Sequence, residues 1–251
     1  MTWALDLDGV IWRGEEAIPG SAGAVAALRA AGERVVFLTN NSNKPVAGYV
    51  EKLETMGVPA AVDDVVTSAQ AAASLVEPGN SALVCAGPGV EEALRQRDVR
   101  VVREGPADVV VVGWHLEFDY ARLTAATAAV MAGARLIGTN DDATYPTPDG
   151  LIPGGGALLA AVAYASGATP EVAGKPHGPM VALVGERVGP VAVMVGDRPA
   201  TDGALARNLA ARFALVLSGV TTPAEVPEDA SCDLVADDLA AVVAAWASGA
   251  G

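Results

Sequence analysis

Basic, aromatic and sulfur-containing side chains are scarce in this chain of 251 residues. Lysine and arginine together number 16 against 30 aspartates and glutamates, which gives a formal net charge of −14. An acidic chain without a lysine- or arginine-rich run disfavours binding to nucleic acids and to anionic membranes. Aromatic residues make up only 4% of the chain, but hydrophobic residues make up 51%. That share is enough for a sizeable core and argues against global disorder.

Cysteine and histidine are too few and too dispersed to form a metal motif. Cys85 and Cys232 lie far apart, and neither His115 nor His177 has a cysteine or second histidine at zinc spacing. We therefore expect free thiols, and structural or surface roles for the histidines. No signal peptide precedes the first predicted strand, and no apolar stretch has membrane-spanning length. We expect a cytoplasmic protein on that basis.

Short apolar runs alternate with alanine-rich helical segments along the chain. "RVVFLT", "SALVCAG" and "ADVVVVGW" have the continuous apolar character of strands covered on both faces, whereas "SAGAVAALRAAG" and "DYARLTAATAAVMAG" are typical of helices. This alternation predicts an α/β fold with mostly parallel sheets. Proline and glycine cluster at 76–81 and 167–176. These clusters suggest that the middle of the chain is inserted into a domain built from both ends.

Reactive side chains stand where three predicted strands end, in "WALDLDG", "VVFLTNNS" and "VAVMVGDRPATD". They are Asp6, Asp8, Thr39, Asn40, Asp197 and Asp202. Ligands of open parallel sheets bind beyond the carboxyl ends of the strands. Thr39 and Asn40 carry donors suited to phosphate. The segment "EVAGKPHG" adds Lys175, the one lysine in the C-terminal two thirds of the chain.

The spacing of Asp6 and Asp8 has a physical meaning. Side chains two apart on an extended strand share a face, so the two carboxylates can point the same way. Like charges at such a distance require a divalent cation, a shared proton or a lysine. A hard cation that prefers oxygen ligands, such as Mg²⁺, is the natural partner, and Asp197 can complete its ligands. Lys175 can balance the remaining charge and bind an anionic substrate.

Four motifs in a fixed order resemble those of the haloacid-dehalogenase-like phosphohydrolases. They are "DLDGV", "LTNNS", "GKP" and "VGDRPATD". The resemblance is closer to the branch of nitrophenylphosphatases, phosphoglycolate phosphatases and glycerol-phosphate phosphatases. Residues 133–162, "GARLIGTNDDATYPTPDGLIPGGGALLAAV", are similar to a signature of the α/β cap domain of that branch. The resemblance implies a doubly wound, Rossmann-like parallel-sheet core at 1–78 and 174–251, with an inserted cap domain at 79–173.

The resemblance also implies a chemistry for the first and fourth motifs. Asp6 is then the nucleophile that forms an aspartyl-phosphate, and Asp8 is the acid and base. Asp6 and Asp197 bind Mg²⁺ through their carboxylates, and Asp8 binds it through its backbone carbonyl. Lys175 stabilises charge on the nucleophile and the phosphoryl group. The implied activity is magnesium-dependent hydrolysis of phosphate monoesters of small molecules.

The remaining site residues follow from the same resemblance. Thr39, Asn40 and Lys175 hold the phosphoryl oxygens, and Asn140 faces the site from the cap. Asp202 acts from behind the ligands and orients bound water or Lys175. The implied partner is a small phosphorylated metabolite, and the family suggests a homodimer formed through the cap. Which phosphate ester is the substrate stays open, as does contact of His115, His177 and Asp141 with it.

Structural alternatives accompany these predictions. Asp6 and Asp8 can form a turn at a strand end, Thr39–Ser42 can cap a helix, and Asp202 can cap the helix "GALARNLAA". The Gly-x-Gly of "CAGPGVEEAL" resembles a dinucleotide fingerprint but lacks the third glycine, so a tight strand–helix turn is the better interpretation. "PGGGALLAAV" can bind an anion at a helix N-terminus or form a flexible loop.

Two other functions compete with hydrolysis. A phosphomutase or phosphotransferase would use the same motifs, and a non-hydrolytic phospho-acceptor module also groups aspartates, Mg²⁺ and a lysine. Receiver modules are about half this length, and their acceptor aspartate does not lie on the first strand. Dehalogenation is disfavoured because dehalogenases of the superfamily lack the acid/base that Asp8 provides.

Overall fold

A computed structural model describes residues 1–147, 150–226 and 231–249, and these divide into two compact units. The first unit comprises Met1–Thr39, Tyr49–Val66 and Val181–Gly251, and the second comprises Asn40–Gly48 and Thr67–Met180. Residues 40–48, 67–78 and 174–180 thus group with the second unit, although the sequence assigns them to the core. The predicted domain boundaries remain a prediction, and residues 148 and 149 of the 133–162 signature lie outside the described residues.

The described residues form helices and short strands in alternation. The strands are β1 (Thr2–Asp6), β2 (Trp12–Arg13), β3 (Glu16–Ala17), β4 (Arg34–Thr39), β5 (Val65–Thr67), β6 (Ser81–Cys85), β7 (Arg100–Val102), β8 (Val109–Val112), β9 (Arg135–Gly138), β10 (Thr144–Thr147), β11 (Gly150–Pro153), β12 (Glu171–Val172), β13 (Val193–Gly196), β14 (Arg212–Val216) and β15 (Leu234–Ala236). The α-helices are α1 (Ser21–Ala30), α2 (Val46–Thr55), α3 (Ser68–Ser74), α4 (Pro88–Arg95), α5 (Tyr120–Met131), α6 (Gly155–Ser166), α7 (Gly178–Arg187), α8 (Ala204–Asn208) and α9 (Leu239–Ala247). Single turns of 3₁₀-helix cover Val62–Asp64 and Pro223–Glu225, and a π-helix covers Pro199–Gly203.

The first unit contains a six-stranded sheet in the order β15-β14-β13-β1-β4-β5. The pairings of β1 with β4 and β13, and of β14 with β13 and β15, are parallel. The chain builds outward from β1 to β4 and β5 on one side and to β13, β14 and β15 on the other. This order makes β1 and β13 a topological switch point, where a doubly wound sheet opens a crevice for ligands.

The second unit has its own five-stranded sheet in the order β12-β9-β8-β6-β7, again with parallel pairings. Its central strand β8 reads Val-Val-Val-Val and is buried throughout. β-branched residues suit a strand that is covered on both faces. Parallel sheets in both units confirm the predicted α/β class.

Helix ends follow local sequence signals. Asp119 and Asp238 cap α5 and α9 with their carboxylates, which accept hydrogen bonds from the backbone N–H groups of Arg122 and Ala241 at 2.7 and 2.8 Å. Four glycines that follow helices adopt the left-handed conformation that glycine favours. Their φ values are +80° at Gly32, +78° at Gly57, +110° at Gly133 and +71° at Gly167.

Within the described ranges, every helix is too short or too polar to cross a lipid bilayer.

Candidate active site

Three adjacent strands of the first unit end in the predicted polar residues. β1 ends at Asp6, β4 ends at Thr39, and Asp197 directly follows β13. In the sheet register, Asp6 lies beside Leu38 of β4, and Leu5 lies beside Val195 of β13. The three side chains therefore stand at one edge of the sheet, at the switch point.

Three carboxylates converge at this edge. Asp6, Asp197 and Asp202 each offer one oxygen atom, and these atoms all lie within 4.8 Å of one another. Relative exposure is 7% at Asp6, 2% at Asp197 and 0% at Asp202. Buried carboxylates so close together repel each other, and their charge calls for a cation. The structure thus unites the predicted ligands Asp6 and Asp197 and adds Asp202, which the sequence assigned to a position behind the ligands.

The Asp6 and Asp197 carboxylates are oriented by backbone groups. Oδ1 of Asp6 accepts a hydrogen bond from the N–H of Leu7 at 2.8 Å. Oδ2 of Asp197 accepts one from Val220 at 2.6 Å. Two glycines make room for Asp197, because a Cβ at Gly9 would lie 2.6 Å from its Oδ2 and a Cβ at Gly219 would lie 2.0 Å from the same atom. Gly9 also has a φ of +83°, which lets the backbone turn away after β1.

The π-helix that follows β13 carries Asp202 into the cluster. Oδ2 of Asp202 accepts a hydrogen bond from the N–H of Arg198 at 3.1 Å. Asp202 does not cap α8, whose N-cap residue is Gly203, so that structural alternative is wrong. A Cβ at Gly196 would lie 2.3 Å from Cγ of Asp202. A glycine at this position is therefore a condition for the close approach of Asp202 to the strand end.

Asp8 lies outside the carboxylate cluster and is held by an indole. The Nε1–H of Trp12 donates to Oδ1 of Asp8 at 3.1 Å. Gly9 N–H donates to the carbonyl of Trp12 at 2.8 Å, and Trp12 N–H donates to the carbonyl of Leu7 at 3.2 Å. Sequence reasoning did not find Trp12. Trp12 is only four residues from Asp8, and this spacing was the available signal. The contact depends on the turn at Gly9, which brings Trp12 back to Asp8.

Lys175 and Asn40 meet in the second unit. Lys175 is buried, with 2% of its surface exposed. The side-chain amide of Asn40 binds the main chain of Lys175 at two points. Lys175 N–H donates to Asn40 Oδ1 at 2.7 Å, and Asn40 Nδ2 donates to the Lys175 carbonyl at 3.1 Å. Asn40 thus positions the lysine loop, while its predicted contact with phosphate remains a prediction.

Asn140 and Asp142 complete the surroundings of Asn40 in that unit. Asn140 Nδ2 donates to the Asn40 carbonyl at 2.8 Å, and Asn40 Nδ2 also donates to Asp142 Oδ2 at 3.0 Å. Asn140 follows β9 and Lys175 follows β12, and these strands are neighbours in the second sheet. The described contacts give Asn140 a structural role, and its predicted contact with substrate remains a prediction.

Both glycine-rich segments of the second unit serve close packing. A Cβ at Gly87 or Gly89 would lie 2.7 Å or less from backbone atoms of Asn43 and Lys44. "CAGPG" is therefore a tight turn between β6 and α4, as predicted. At the start of α6, Gly156 N–H donates to the Asp142 carbonyl at 2.9 Å, and Gly154 N–H donates to the Ala143 carbonyl at 2.9 Å. Main-chain carbonyls thus accept the hydrogen bonds of two backbone N–H groups at the start of α6.

The two histidines occupy different environments in the second unit. His115 is buried, its Nδ1–H donates to the Gly113 carbonyl at 3.0 Å, and desolvation lowers its pKa. His177 is partly exposed, and its Nε2 lies 3.0 Å from Oδ2 of Asp141. Burial also raises the pKa of the Cys85 thiol to about 11, which makes it unreactive at neutral pH.

Comparison with known families gives two matches to this chain. A family model described as haloacid dehalogenase-like hydrolase matches residues 3–100, and a HAD-hydrolase-like model matches residues 172–242. The acid sugar phosphatase of Staphylococcus saprophyticus is 36% identical over 177 residues, which are 69% of this chain and 68% of that protein.

Solved structures give the same relationship. A glycerol phosphate phosphatase from Mycobacterium tuberculosis in complex with magnesium superposes with a TM-score of 0.88 at 31% identity, over 96% of this chain and 75% of that chain. A 4-nitrophenylphosphatase from Thermotoga maritima gives a TM-score of 0.88 at 30% identity, over 97% of this chain and 96% of that one. The family matches and these relatives show that the chain belongs to the haloacid dehalogenase-like hydrolases. The carboxylate cluster at the sheet edge agrees with this assignment.

Proposed function

We propose that this protein hydrolyses phosphate monoesters of small molecules with the help of Mg²⁺. The observation that carries the proposal is the cluster of Asp6, Asp197 and Asp202 at the switch point of the first sheet. Carboxylates at these motif positions suit phosphoryl transfer, in which positioning and electrostatic stabilisation lower most of the barrier. The relatives are named as phosphatases of sugar, glycerol and nitrophenyl phosphates, and they support the same chemistry.

The donor set fits Mg²⁺. This ion takes oxygen ligands at about 2.1 Å, so two ligand atoms on opposite sides of it lie about 4.2 Å apart. The three carboxylate oxygens lie within 4.8 Å of one another and need only small adjustments to share one ion. Asp6 and Asp197 would hold it, with Asp202 beside them and the Asp8 carbonyl as the remaining predicted ligand. When bound, Mg²⁺ supplies positive charge that offsets the carboxylates and the charge on the phosphoryl oxygens.

Asp6 carries out the first chemical step. One of its carboxylate oxygens attacks phosphorus, the bond from phosphorus to the ester oxygen breaks, and Asp8 gives its proton to the departing oxygen. The product is an aspartyl-phosphate at Asp6 and a free alcohol. In the second step, water attacks phosphorus and gives a proton to Asp8. The bond between phosphorus and the Asp6 oxygen breaks, inorganic phosphate departs, and the Asp6 carboxylate is regenerated.

The other predicted residues hold and neutralise the phosphoryl group in this proposal. Thr39 stands at the same sheet edge as Asp6 and offers a hydroxyl donor. Lys175 supplies a positive charge, and Asn40 fixes the backbone of that lysine by two hydrogen bonds. The inserted segment 79–173 acts as a cap domain that excludes bulk water and selects the substrate. We further propose a cytoplasmic location and a homodimer. Light scattering of the purified protein tests the homodimer.

A phosphate-release screen tests the activity. Candidate esters are sugar phosphates, glycerol phosphate, phosphoglycolate, nucleotides and 4-nitrophenyl phosphate, each with and without Mg²⁺. We expect release only with the metal and its loss in Asp6→Asn, which removes the nucleophilic oxygen. Asp63→Asn is the matched control, because this carboxylate is fully exposed and pairs loosely with Arg187 at 3.9 Å. Full activity of Asp6→Asn would remove Asp6 as nucleophile.

Trapping the covalent intermediate tests Asp6 as the nucleophile, and the fate of the phosphoryl group separates hydrolysis from other phosphoryl chemistry. Acid quenching followed by hydroxylamine should convert phosphorylated Asp6 into a hydroxamate that peptide mass spectrometry detects. A stable phosphoprotein without turnover would favour a phospho-acceptor module. Transfer of the phosphoryl group to a second metabolite, in place of inorganic phosphate, would favour a phosphotransferase.

A further inference from the structure

The first unit contains a chain of contacts that runs from Asp8 through an indole to a lysine. Trp12 is 1% exposed, and its Nε1–H donates to Oδ1 of Asp8 at 3.1 Å. The main chain of Trp12 forms hydrogen bonds with both sequence neighbours of Asp8. Its N–H donates to the Leu7 carbonyl at 3.2 Å, and its carbonyl accepts from the Gly9 N–H at 2.8 Å. The indole is therefore fixed relative to the carboxyl group that it contacts.

Lys52 lies over one face of this indole. Its Nζ lies 4.5 Å from the centre of the Trp12 ring. The same ammonium group donates to the Gly14 carbonyl at 2.6 Å and to Oε1 of Glu15 at 3.2 Å. Gly14 and Glu15 connect β2 to β3, so Lys52 of α2 holds the hairpin that presents Trp12. A cation over the ring face is attracted by the π electrons and polarises the indole, which makes its N–H a better donor.

The indole fixes the orientation of the Asp8 carboxyl group. An indole N–H can only donate, so Oδ1 of Asp8 must act as the acceptor. This hydrogen bond restricts rotation of the carboxyl plane. A fixed carboxyl plane matters most where a proton must be delivered to a departing oxygen.

We propose that Trp12, supported by Lys52, is a positioning residue that aims the Asp8 carboxyl group at the leaving group of the phosphate ester. This inference rests on the proposed function. In the step concerned, an Asp6 oxygen bonds to phosphorus, the phosphorus–oxygen ester bond breaks, and a proton moves from the Asp8 carboxyl group to the ester oxygen. The contribution of Trp12 is therefore large for esters of weakly acidic alcohols. It is small for 4-nitrophenyl phosphate, whose leaving group departs without a proton.

The test compares kcat/KM for 4-nitrophenyl phosphate and phenyl phosphate at saturating Mg²⁺. These esters are similar in size but differ in the acidity of the leaving phenol, and kcat/KM reports the steps up to its release. Trp12→Phe keeps an aromatic ring at this buried position and removes the N–H donor together with the pyrrole part of the indole. General acid catalysis is worth about 10²- to 10⁴-fold, so we expect loss of one orienting donor to raise the ratio of nitrophenyl to phenyl kcat/KM about tenfold.

Two further variants support this comparison. Lys52→Met keeps an apolar stem and removes the charge, and we expect a smaller shift in the same direction. Trp246→Phe is the matched control. Trp246 lies in the same unit and packs edge-on against Trp3. The guanidinium carbon of Arg212 lies 4.8 Å from the centre of the Trp246 ring. This control should leave the ratio unchanged.

The outcomes separate the two proposals. A ratio within twofold of wild type in folded Trp12→Phe overturns the positioning role, and so does an equal loss on both esters, which marks a purely structural residue. If thermal melting shows that Trp12→Phe does not fold, an unchanged ratio in Lys52→Met overturns it instead. Asp8→Asn tests the underlying function separately: it should raise the ratio about 100-fold. An equal loss on both esters in Asp8→Asn would refute Asp8 as the acid, whatever Trp12 does.

Discussion

Any side chain at Gly219 would collide with the Asp197 carboxylate. A Cβ at this position would lie 2.0 Å from Oδ2 of Asp197, whereas ordinary contact begins at 3.4 Å, a shortfall of about 1.4 Å. The next residue, Val220, donates its N–H to the same oxygen at 2.6 Å. Gly219→Ala must therefore displace the carboxylate or pull Val220 away from it, and either change disturbs a proposed Mg²⁺ ligand.

The size of the effect follows from the size of this displacement. A misplacement of about 1 Å at a reacting centre costs roughly 10²-fold in rate. We expect kcat/KM of Gly219→Ala to fall about 100-fold at a Mg²⁺ concentration that half-saturates the wild type. The dissociation constant for Mg²⁺, measured by titration calorimetry, should rise at least about tenfold, since that corresponds to only about 1.4 kcal/mol of lost ligand geometry. High Mg²⁺ should restore part of the activity.

Gly185→Ala provides the control, because this exposed glycine of α7 has nothing within 4 Å of a built Cβ. Replacing glycine inside a helix should stabilise the protein by about 0.5–1 kcal/mol and leave kinetics unchanged. A Gly219→Ala protein that binds Mg²⁺ and turns over like wild type would refute the steric argument and the assignment of Asp197 as a ligand.

Three further predictions concern stability and reactivity. Mg²⁺ at 100 times its dissociation constant should stabilise the fold by about 2.7 kcal/mol, and the rise in Tm should disappear with a chelator or in Asp197→Asn; an equal rise in that variant would count against the site. Desolvation lowers the pKa of His115 below its ordinary value of 6.5, so below pH 6.5 the unfolded chain binds a proton that the folded chain does not. The free energy of unfolding should therefore decrease as pH falls from 6.5 to the folded pKa, and His115→Asn should flatten this part of the Tm–pH curve; an unchanged slope would contradict it. A thiol reagent at neutral pH should label partly exposed Cys232 in the native protein and buried Cys85 only after unfolding, so early labelling of Cys85 would be the contrary result.

Local patterns in the sequence predicted the α/β class and most of the longer elements. Continuous apolar runs predicted strands such as β4 and β8, and alanine-rich segments predicted helices such as α1 and α5, because these signals act within one segment. The short strands β5, β12 and β15 were not predicted. Each has only two or three residues, too few for a hydrophobic pattern, and it becomes a strand only by pairing with a neighbour in the sheet.

The sequence by itself determined which residues are candidates for the chemistry: Asp6 and Asp197 stand out by type and by position at predicted strand ends, and Lys175 stands out by its motif. Only the tertiary structure decided how they are arranged. It added Asp202 to the carboxylate cluster through a π-helix, and it directed the Asn40 amide to the main chain of Lys175. The physical reason is that residue type is set locally, whereas the distance between two side chains depends on strand order and on the space that distant glycines leave open.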